Sequence, residues 1–281
     1  MLGNNKKSIG FNNNFFTNKS NAPVYNPTTI TAAFKARVIA AGGSITATQE
    51  AACLTLVTNL INNNLWSKMK IIYPMVGGSS NSCKINLVDA NYTATFSSGF
   101  TFTALGVTGT GANTFMKANG FNPSIQLSTF DTCFSYYSRT NNTFNGSDLG
   151  CQLNPSTDRV GLSIYFSGST SADLNNFTTG RITQASTNTT GLYLISRESN
   201  VLMKMYRNAV QFGATNTTTM STLLPNATYT VCCLDFNDGI NFSSTNRQCA
   251  FSHVSTSLTA AEAATFYSNV QTFQTTLSRN V

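Results

Sequence analysis

Charge is what this chain has least of. Only 10% of its 281 residues are Asp, Glu, Lys or Arg, against about 25% in an ordinary soluble protein. Asn, Thr and Ser take their place, so neutral polar groups must keep the surface in water. The ten acidic residues are Glu50, Asp89, Asp131, Asp148, Asp158, Asp173, Glu198, Asp235, Asp238 and Glu262. No two of them stand two apart, as a carboxylate pair on one strand face would. Glycoside hydrolysis needs two carboxylates about 5–9 Å apart across one bond. Asp235 and Asp238 are three apart and read as a strand end and the hairpin turn Asn237-Asp238-Gly239. Glu50 and Glu262 fall in helix starts, where a carboxylate meets the positive end of the helix dipole. Histidine occurs once, at His253. Catalytic triads and zinc centres need a His with partners, and a solitary one beside Phe251 reads as structural. These absences exclude most hydrolytic chemistry and predict a protein that is not an enzyme.

Other absences narrow the class further. Seven cysteines, an odd number without Cys-x-x-Cys spacing, argue against a disulfide framework or a zinc knuckle. Most are expected as small buried apolar residues. Cys232 and Cys233 should alternate along a strand, so only one of them is expected in the core. No run of ~18 apolar residues is present to span a membrane. The N-terminal Met1-Leu-Gly-Asn-Asn-Lys-Lys lacks the apolar segment of a secretory signal. The nine Asn-x-Ser/Thr sequons, Asn91, Asn176 and Asn241 among them, are then expected as by-products of composition. The net charge is +7, but the cations are dispersed and only Lys6-Lys7 are adjacent. Nucleic acid is not an expected partner, because a phosphate track needs clustered cations. Gly77-Gly78 and Gly106 to Gly111 lack the Lys-Ser/Thr of a phosphate cradle.

What is present begins with an arm. Residues 1–27 are polar and Asn-rich, with no period, and carry Phe11, Phe15 and Phe16. One reading is a disordered terminus. The other is an arm that folds on contact with a neighbouring subunit, with these three aromatics as partner-binding residues. Residues 28–69 are helical in pattern. Ile30, Phe34 and Val38 share one face, and Gly42-Gly43 closes that helix. Thr46-Ala-Thr-Gln49 is a capping box. It opens a second helix to about Asn62, striped by Leu54, Val57 and Ile61 and flanked by Leu56 and Leu60. Trp66, the one Trp, reads as a core residue joining helix to sheet.

From Lys70 the period becomes two. Lys70 to Val76, Cys83 to Asp89, Thr93 to Phe96, Phe100 to Leu105, Asp131 to Arg139 and Arg159 to Phe166 read as strands. Gly191 to Arg197, Val201 to Phe212, Ala227 to Phe236 and Arg247 to Val254 follow. Turn clusters of Gly, Asn and Ser separate them. Short strands at such spacing predict a sandwich or barrel, and no helices lie between them to build parallel units. Thr259-Ala-Ala-Glu262 is a second capping box, followed by Ala263, Phe266, Val270, Phe273 and Leu277 at helical spacing. Exposed turns and the tyrosines Tyr136, Tyr137, Tyr165, Tyr193 and Tyr206 suit sugar or protein contacts. Asp131 and Asp158 are the candidate calcium ligands, although no cofactor is expected.

Two resemblances add to this. Val201 to Val210, Leu224-Pro-Asn-Ala-Thr-Tyr-Thr-Val and Ala250 to Glu262 together resemble laminin-G-like, concanavalin-A-like domains, with Asn208-Ala209 in place of the usual Asn-Gly. Their calcium ligands have no match here. The span from Thr46 onward is similar to virion structural proteins of tailed phages. Thr46-Ala-Thr-Gln-Glu, Leu65-Trp-Ser-Lys-Met-Lys-Ile-Ile-Tyr-Pro-Met-Val-Gly-Gly78, Lys84-Ile-Asn-Leu and Val270 to Arg279 carry that likeness. The fold expected is mainly β: a concanavalin-A-like antiparallel sandwich, or jelly roll. Its parts would be an arm (1–27), a helical collar (28–69) and a sandwich (70–281) with a closing helix (260–277). The resemblance implies a structural component of a bacteriophage virion, a tail fibre or head decoration. It would be made in the host cytoplasm, assemble as a homo-oligomer with other virion proteins, and contact a host surface glycan. The alternative is a carbohydrate-binding adhesin, and behind it a polysaccharide depolymerase.

Overall fold

The computed structural model describes residues 23–154, 157–236 and 241–281. Helix α1 (Pro27–Ala40) is capped by Asn26, whose side chain accepts the Thr29 N–H. Pro27 takes the first helical position, where a missing N–H has no intrahelical partner to lose. In α2 (Ala47–Asn62), Thr46 accepts the Gln49 N–H and the Gln49 side chain accepts the Thr46 N–H. The buried stripe of α2 is rotated from the expected one. Cys53, Leu56, Val57 and Leu60 are buried, whereas Leu54 and Ile61 are half-buried. A 3-10 turn at Trp66–Lys68 leads into β1 (Met69–Tyr73). Trp66 is buried between the helices and the sheet, as the sequence suggested.

The chain continues through α3 (Ser80–Cys83), β2 (Ala94–Phe96), β3 (Thr101–Thr103), β4 (Gly106–Thr108), β5 (Met116–Ala118) and α4 (Pro123–Gln126). Then come β6 (Thr132–Ser138), β7 (Leu149–Asn154), β8 (Asp158–Phe166), β9 (Ser169–Leu174), β10 (Arg181–Ala185) and β11 (Gly191–Ser199). The last elements are β12 (Leu202–Arg207), β13 (Val210–Gln211), β14 (Thr230–Val231), β15 (Cys233–Phe236), β16 (Asn241–Ser244), β17 (Cys249–Ser255) and α5 (Ala260–Thr276). Two sheets form. Sheet A runs β13-β12-β11-β6-β17-β4-β3, with β1 also on β17. Sheet B runs β10-β9-β8-β7-β14-β5-β2, with β15 beside β7 and β16 beyond it. The pairs are antiparallel except β15 with β7. The fold is therefore the antiparallel β-sandwich that the strand pattern predicts.

Alternation along the strands builds two apolar layers. Ile71, Phe134, Tyr136, Tyr193 and Ile195 of sheet A meet Leu149, Leu162, Ala172 and Val231 of sheet B. On the other face of sheet A, Cys133, Tyr137, Leu192, Leu194 and Phe251 meet Phe34 and Leu56 of the N-terminal helices and Phe266 and Phe273 of α5. Sheet A is thus covered on both faces, and β6 and β17 are buried along their whole length. The closing helix starts as expected, with Thr259 and Glu262 forming the capping box. Burial of each large apolar side chain on α5 contributes about 2 kcal/mol.

Two expectations fail, each for a local reason. Cys83 to Asp89 is not a strand. Asn86 is buried there and replaces a ladder with its side chain. Its Oδ1 accepts the Ile72 and Val88 N–H groups at 2.9 and 3.1 Å, and its Nδ2 donates to Lys70 O at 3.3 Å. The Cys232-Cys233 pair is buried at both positions. Cys232 has φ +64°, which breaks the strand into β14 and β15 and removes the alternation that would have exposed one thiol. All seven cysteines are buried and none forms a disulfide.

Three guanidinium groups lie in the interior. Arg279, three residues beyond α5, donates to Met75 O (2.8 Å), Pro74 O (2.6 Å), Ala250 O (2.9 Å) and Gln274 Oε1 (2.6 Å). Arg247 meets both carboxylate oxygens of Asp148 at 3.2 Å. Arg197 is less well served. Its Nη2 reaches Leu174 O and Met203 Sδ, each at 3.3 Å, while Nε and Nη1 have no hydrogen-bond partner.

Candidate functional site

The three long helices all pack on sheet A, which leaves the outer face of sheet B for a ligand. Inward positions of β8 are Val160, Leu162 and Ile164, so Arg159, Gly161 and Ser163 face out. Register then sets rows across the sheet. Gly150, Gly161, Asp173 and Arg181 stand side by side on β7 to β10. Gln152 and Arg159 form the row on one side, and Ser163, Ser171 and Thr183 the row on the other.

A cleft of about 370 Å³ lies on this face, lined by Ser147, Arg159, Ser163, Phe166, Ser171, Phe177, Arg181, Phe236 and Ser243. Arg159 and Arg181 of its lining are both paired with the buried carboxylate of Asp173. Arg181 grips it with two parallel bonds, Nε to Oδ1 at 2.6 Å and Nη2 to Oδ2 at 2.8 Å. Arg159 Nε makes a 2.7 Å ion-pair contact with Oδ2, and Arg159 Nη1 donates to Gln152 Oε1 at 2.8 Å. Bidentate guanidinium–carboxylate pairing fixes both planes as well as their separation. Arg159 can lie across the floor because residue 161 is glycine. A Cβ there would stand 3.1 Å from Arg159 Nε and 3.5 Å from Asp173 Oδ2. Burial holds the Arg159 pKa below the ordinary guanidinium value; Asp173 opposes that shift and the neighbouring Arg181 adds to it.

Aromatic and hydroxyl groups complete the cleft. The Phe177 ring sits 4.0 Å from the Arg181 guanidinium and 5.0 Å from that of Arg159. Even so, 41% of Phe177 is exposed, and Phe166 is 52% exposed. Ser147 Oγ lies 2.9 Å from Ser163 Oγ and 3.3 Å from Ser243 Oγ. The arrangement offers apolar faces above, hydroxyl donors and acceptors below, and positive charge at one end. Among the described residues no carboxylate lines it, and Asp173 behind the two arginines is already committed to both cations.

The residues singled out from sequence fall elsewhere. Phe11, Phe15 and Phe16 lie outside the described residues, as does the Asn237-Asp238-Gly239 turn. Of the five tyrosines offered for sugar contact, Tyr136, Tyr137, Tyr193 and Tyr206 are buried, and only Tyr165 is half-exposed. Tyr136 and Tyr193 point between the two sheets, and the helical layer covers Tyr137 and Tyr206 on the sheet A face that would otherwise have met water. Asp131 Oδ1 accepts the Ser257 N–H at 2.7 Å. No group of three or more His, Cys, Asp or Glu side chains able to hold a metal occurs among the described residues. His253 is buried against Phe266, with ring centroids 4.1 Å apart, and is hydrogen-bonded to Ser135 and Ser255. Asp235 is buried and ion-paired with Lys117 at 3.3 Å. No helix among the described residues is long and apolar enough to cross a membrane.

Arg159, Gln152, Asp173, Arg181 and Phe177 were missed as a group. The signal was available in Arg159-Val-Gly-Leu-Ser and Ser171-Ala-Asp173, where charge and hydroxyls occupy alternate positions of two strands in a chain poor in charge.

No protein-family model matches the chain, and no curated protein matches its sequence. Solved structures do share its fold. Domain 4 of AbnA, a GH43 extracellular arabinanase from Geobacillus stearothermophilus in complex with arabinotriose, is 12% identical with a TM-score of 0.50, over 71% of this chain and 98% of that one. A structure of botulinum neurotoxin type C, whose cell entry depends on interaction with two ganglioside molecules, is 10% identical with a TM-score of 0.51, over 75% and 53%. The binding domain of botulinum neurotoxin DC in complex with rat synaptotagmin II gives 10% and 0.51, over 73% and 52%. This chain therefore spans about half the length of the toxin chains it matches. At these identities the likeness concerns the β-sandwich fold.

Proposed function

We propose that the protein is a lectin-like module that binds a glycan in the cleft on the free face of sheet B. The observation that carries this is the pairing of exposed phenyl rings, Phe166 and Phe177, with a hydroxyl floor from Ser147, Ser163 and Ser171. Sugars present apolar C–H faces and hydroxyl edges, and a mostly apolar cleft with a few placed polar groups is what such a ligand fits. The fold likeness to an arabinotriose-bound domain and to ganglioside-dependent toxins supports the reading, although sandwiches host many functions and the site must carry the argument. The module binds and does not cleave, because Asp173 is held by two guanidinium groups and no carboxylate lines the cleft among the described residues. A glycan array on purified protein tests this, followed by calorimetry on any hit. Phe177→Ala and Phe166→Ala should each weaken binding at least tenfold while leaving the melting temperature unchanged. Undiminished binding in both variants would sink the reading.

The setting we propose for this module is a phage particle, where it would make host contact. The resemblance of the Leu65 to Gly78 segment supports that setting, and the arm at residues 1–27 would tie it to other virion proteins. Deleting residues 1–27 should abolish incorporation into particles. Normal incorporation would refute the anchoring role.

A further inference from the structure

We infer that the cleft selects a sugar that bears a carboxylate, a uronic or sialic acid unit, and that Arg181 with Arg159 beside it reads the acid group. The inference rests on the proposed glycan-binding role of the same cleft. Its own evidence is the charge count at the floor. Two guanidinium groups converge there on one carboxylate, Asp173, leaving a net positive charge in a partly desolvated site. Asp173 has already spent both oxygens on them, through contacts of 2.6, 2.7 and 2.8 Å. Arg181 uses Nε and Nη2 on Asp173 and Arg159 uses Nη1 on Gln152, and both line the cleft, with 27% of the Arg181 side chain exposed to a ligand.

Asp173 also positions the pair. It holds the Arg181 plane in a fixed fork, so a second carboxylate meets a preorganised donor set rather than a mobile side chain. Phe177 packs on Arg181 from one side at 4.0 Å and keeps water from that face. The rest of its ring is exposed and can take the sugar's C–H face while the acid group reaches the guanidinium. Ser163 and Ser171 stand in the neighbouring row for ring hydroxyls. A neutral sugar would meet the same phenyl and hydroxyl groups but would leave the positive charge without a counter-ion. The Asp-Arg-Arg arrangement is therefore the part of the site that sorts ligands by charge.

The test compares ligands that differ in charge alone. Two acidic probes, sialyllactose and trigalacturonate, are titrated against the wild-type protein beside their carboxyl-reduced forms, and the variants Arg181→Gln and Phe177→Ala are titrated in parallel. Carboxyl reduction and Arg181→Gln should each cost about 10- to 100-fold in affinity for the acidic probe that binds, the scale of one charge-assisted pair. Binding should also weaken as salt rises. Whichever acidic probe binds identifies the uronic or the sialic class. If reduced and acidic forms bind equally, and Arg181→Gln is without effect while Phe177→Ala still abolishes binding, the charge inference fails and the glycan reading stands. A preference for a sulfated over a carboxylated sugar also overturns it. If neutral and acidic sugars alike fail to bind, the underlying reading has failed. The ligand-side comparison uses the wild-type chain, so it holds even if a variant folds poorly.

Discussion

Arg279→Met should unfold this protein at a markedly lower temperature, although the residue lies beyond the last helix. Its guanidinium is buried and donates four hydrogen bonds, three of them to the main-chain carbonyls of Pro74, Met75 and Ala250. Methionine has a similar reach and no donor, so those carbonyls would lose a charged partner. Bonds to a charged group are worth about 1.5–3 kcal/mol each. Their sum overstates the loss, because removing the arginine also removes the cost of burying a cation. Burial has pushed its pKa down to about 10, which reports that cost. Each buried carbonyl left without a partner costs about 1–3 kcal/mol, so with the cation's burial cost removed the net loss should be about 3–5 kcal/mol. At roughly 2–4 °C per kcal/mol for a chain of this class, the melting temperature should fall by about 6–20 °C. Thermal unfolding followed by circular dichroism reads this directly. Arg279→Lys, which keeps the charge and loses the fork, should fall between wild type and Met. A Met variant that melts within 2 °C of wild type refutes a stabilising role for the Arg279 bonds to Pro74, Met75 and Ala250.

Arg197 should behave in the opposite way. It is equally buried, but two of its nitrogens have no partner, so Arg197→Met should leave the urea midpoint unchanged or raise it by about 1–3 kcal/mol of stability, and a clear loss would contradict this. His253 is kept neutral, its pKa pushed down to about 3 by burial, whereas the unfolded chain titrates near 6.5. Below about pH 6.5 the unfolded state takes up a proton that the folded state refuses. Stability should therefore fall by up to about 1.4 kcal/mol per pH unit between pH 6.5 and 3, and His253→Asn should flatten that slope; equal slopes in the two proteins would show the histidine is not responsible. Asn208 and Ala209 both have positive φ, at +50° and +68°, in the turn joining β12 to β13. Ala209→Gly should gain about 0.5–1 kcal/mol, read as a small rise in melting temperature. Burial raises the Cys53 and Cys83 thiols to about 12, so a thiol reagent at neutral pH should label these two only after urea is added.

The capped helices were legible from sequence because caps are local. Thr46 with Gln49 and Thr259 with Glu262 satisfy each other within three residues, and the structure bears out both boxes. The sandwich was legible because period two survives in β6, β8, β11 and β17. The cleft was less so. Asp173 and Arg159 lie fourteen residues apart in the chain and meet only because β8 and β9 pair with Gly161 opposite Asp173. Register of that kind is set by the Ser167-Gly168 turn and by packing on the far face. The tyrosine expectation failed for a tertiary reason: which face of a strand is wet depends on whether a helix lies over it, and nothing in Tyr137 or Tyr206 says so. Asn86 misled in a further way, since an alternating segment can be tied down by one side chain instead of a ladder.

The position of β17 also governs when this chain can fold. β1 pairs with β17, through Met69 opposite Ser255 and Tyr73 opposite Ser252, so its ladder must close a loop of about 180 residues, the kind of non-local contact that slows folding. During synthesis at about 5–20 residues per second, β1 and the helices before it would emerge about 10–40 s ahead of the strand they need. For that interval the apolar faces of Phe34, Leu56 and Trp66 have no sheet to cover. A nascent chain of this protein thus leaves these helices uncovered until β17 is made. Removing β17 and α5 should leave the same surface bare, and pulse-labelled chains should resist protease only once β17 and α5 have left the ribosome.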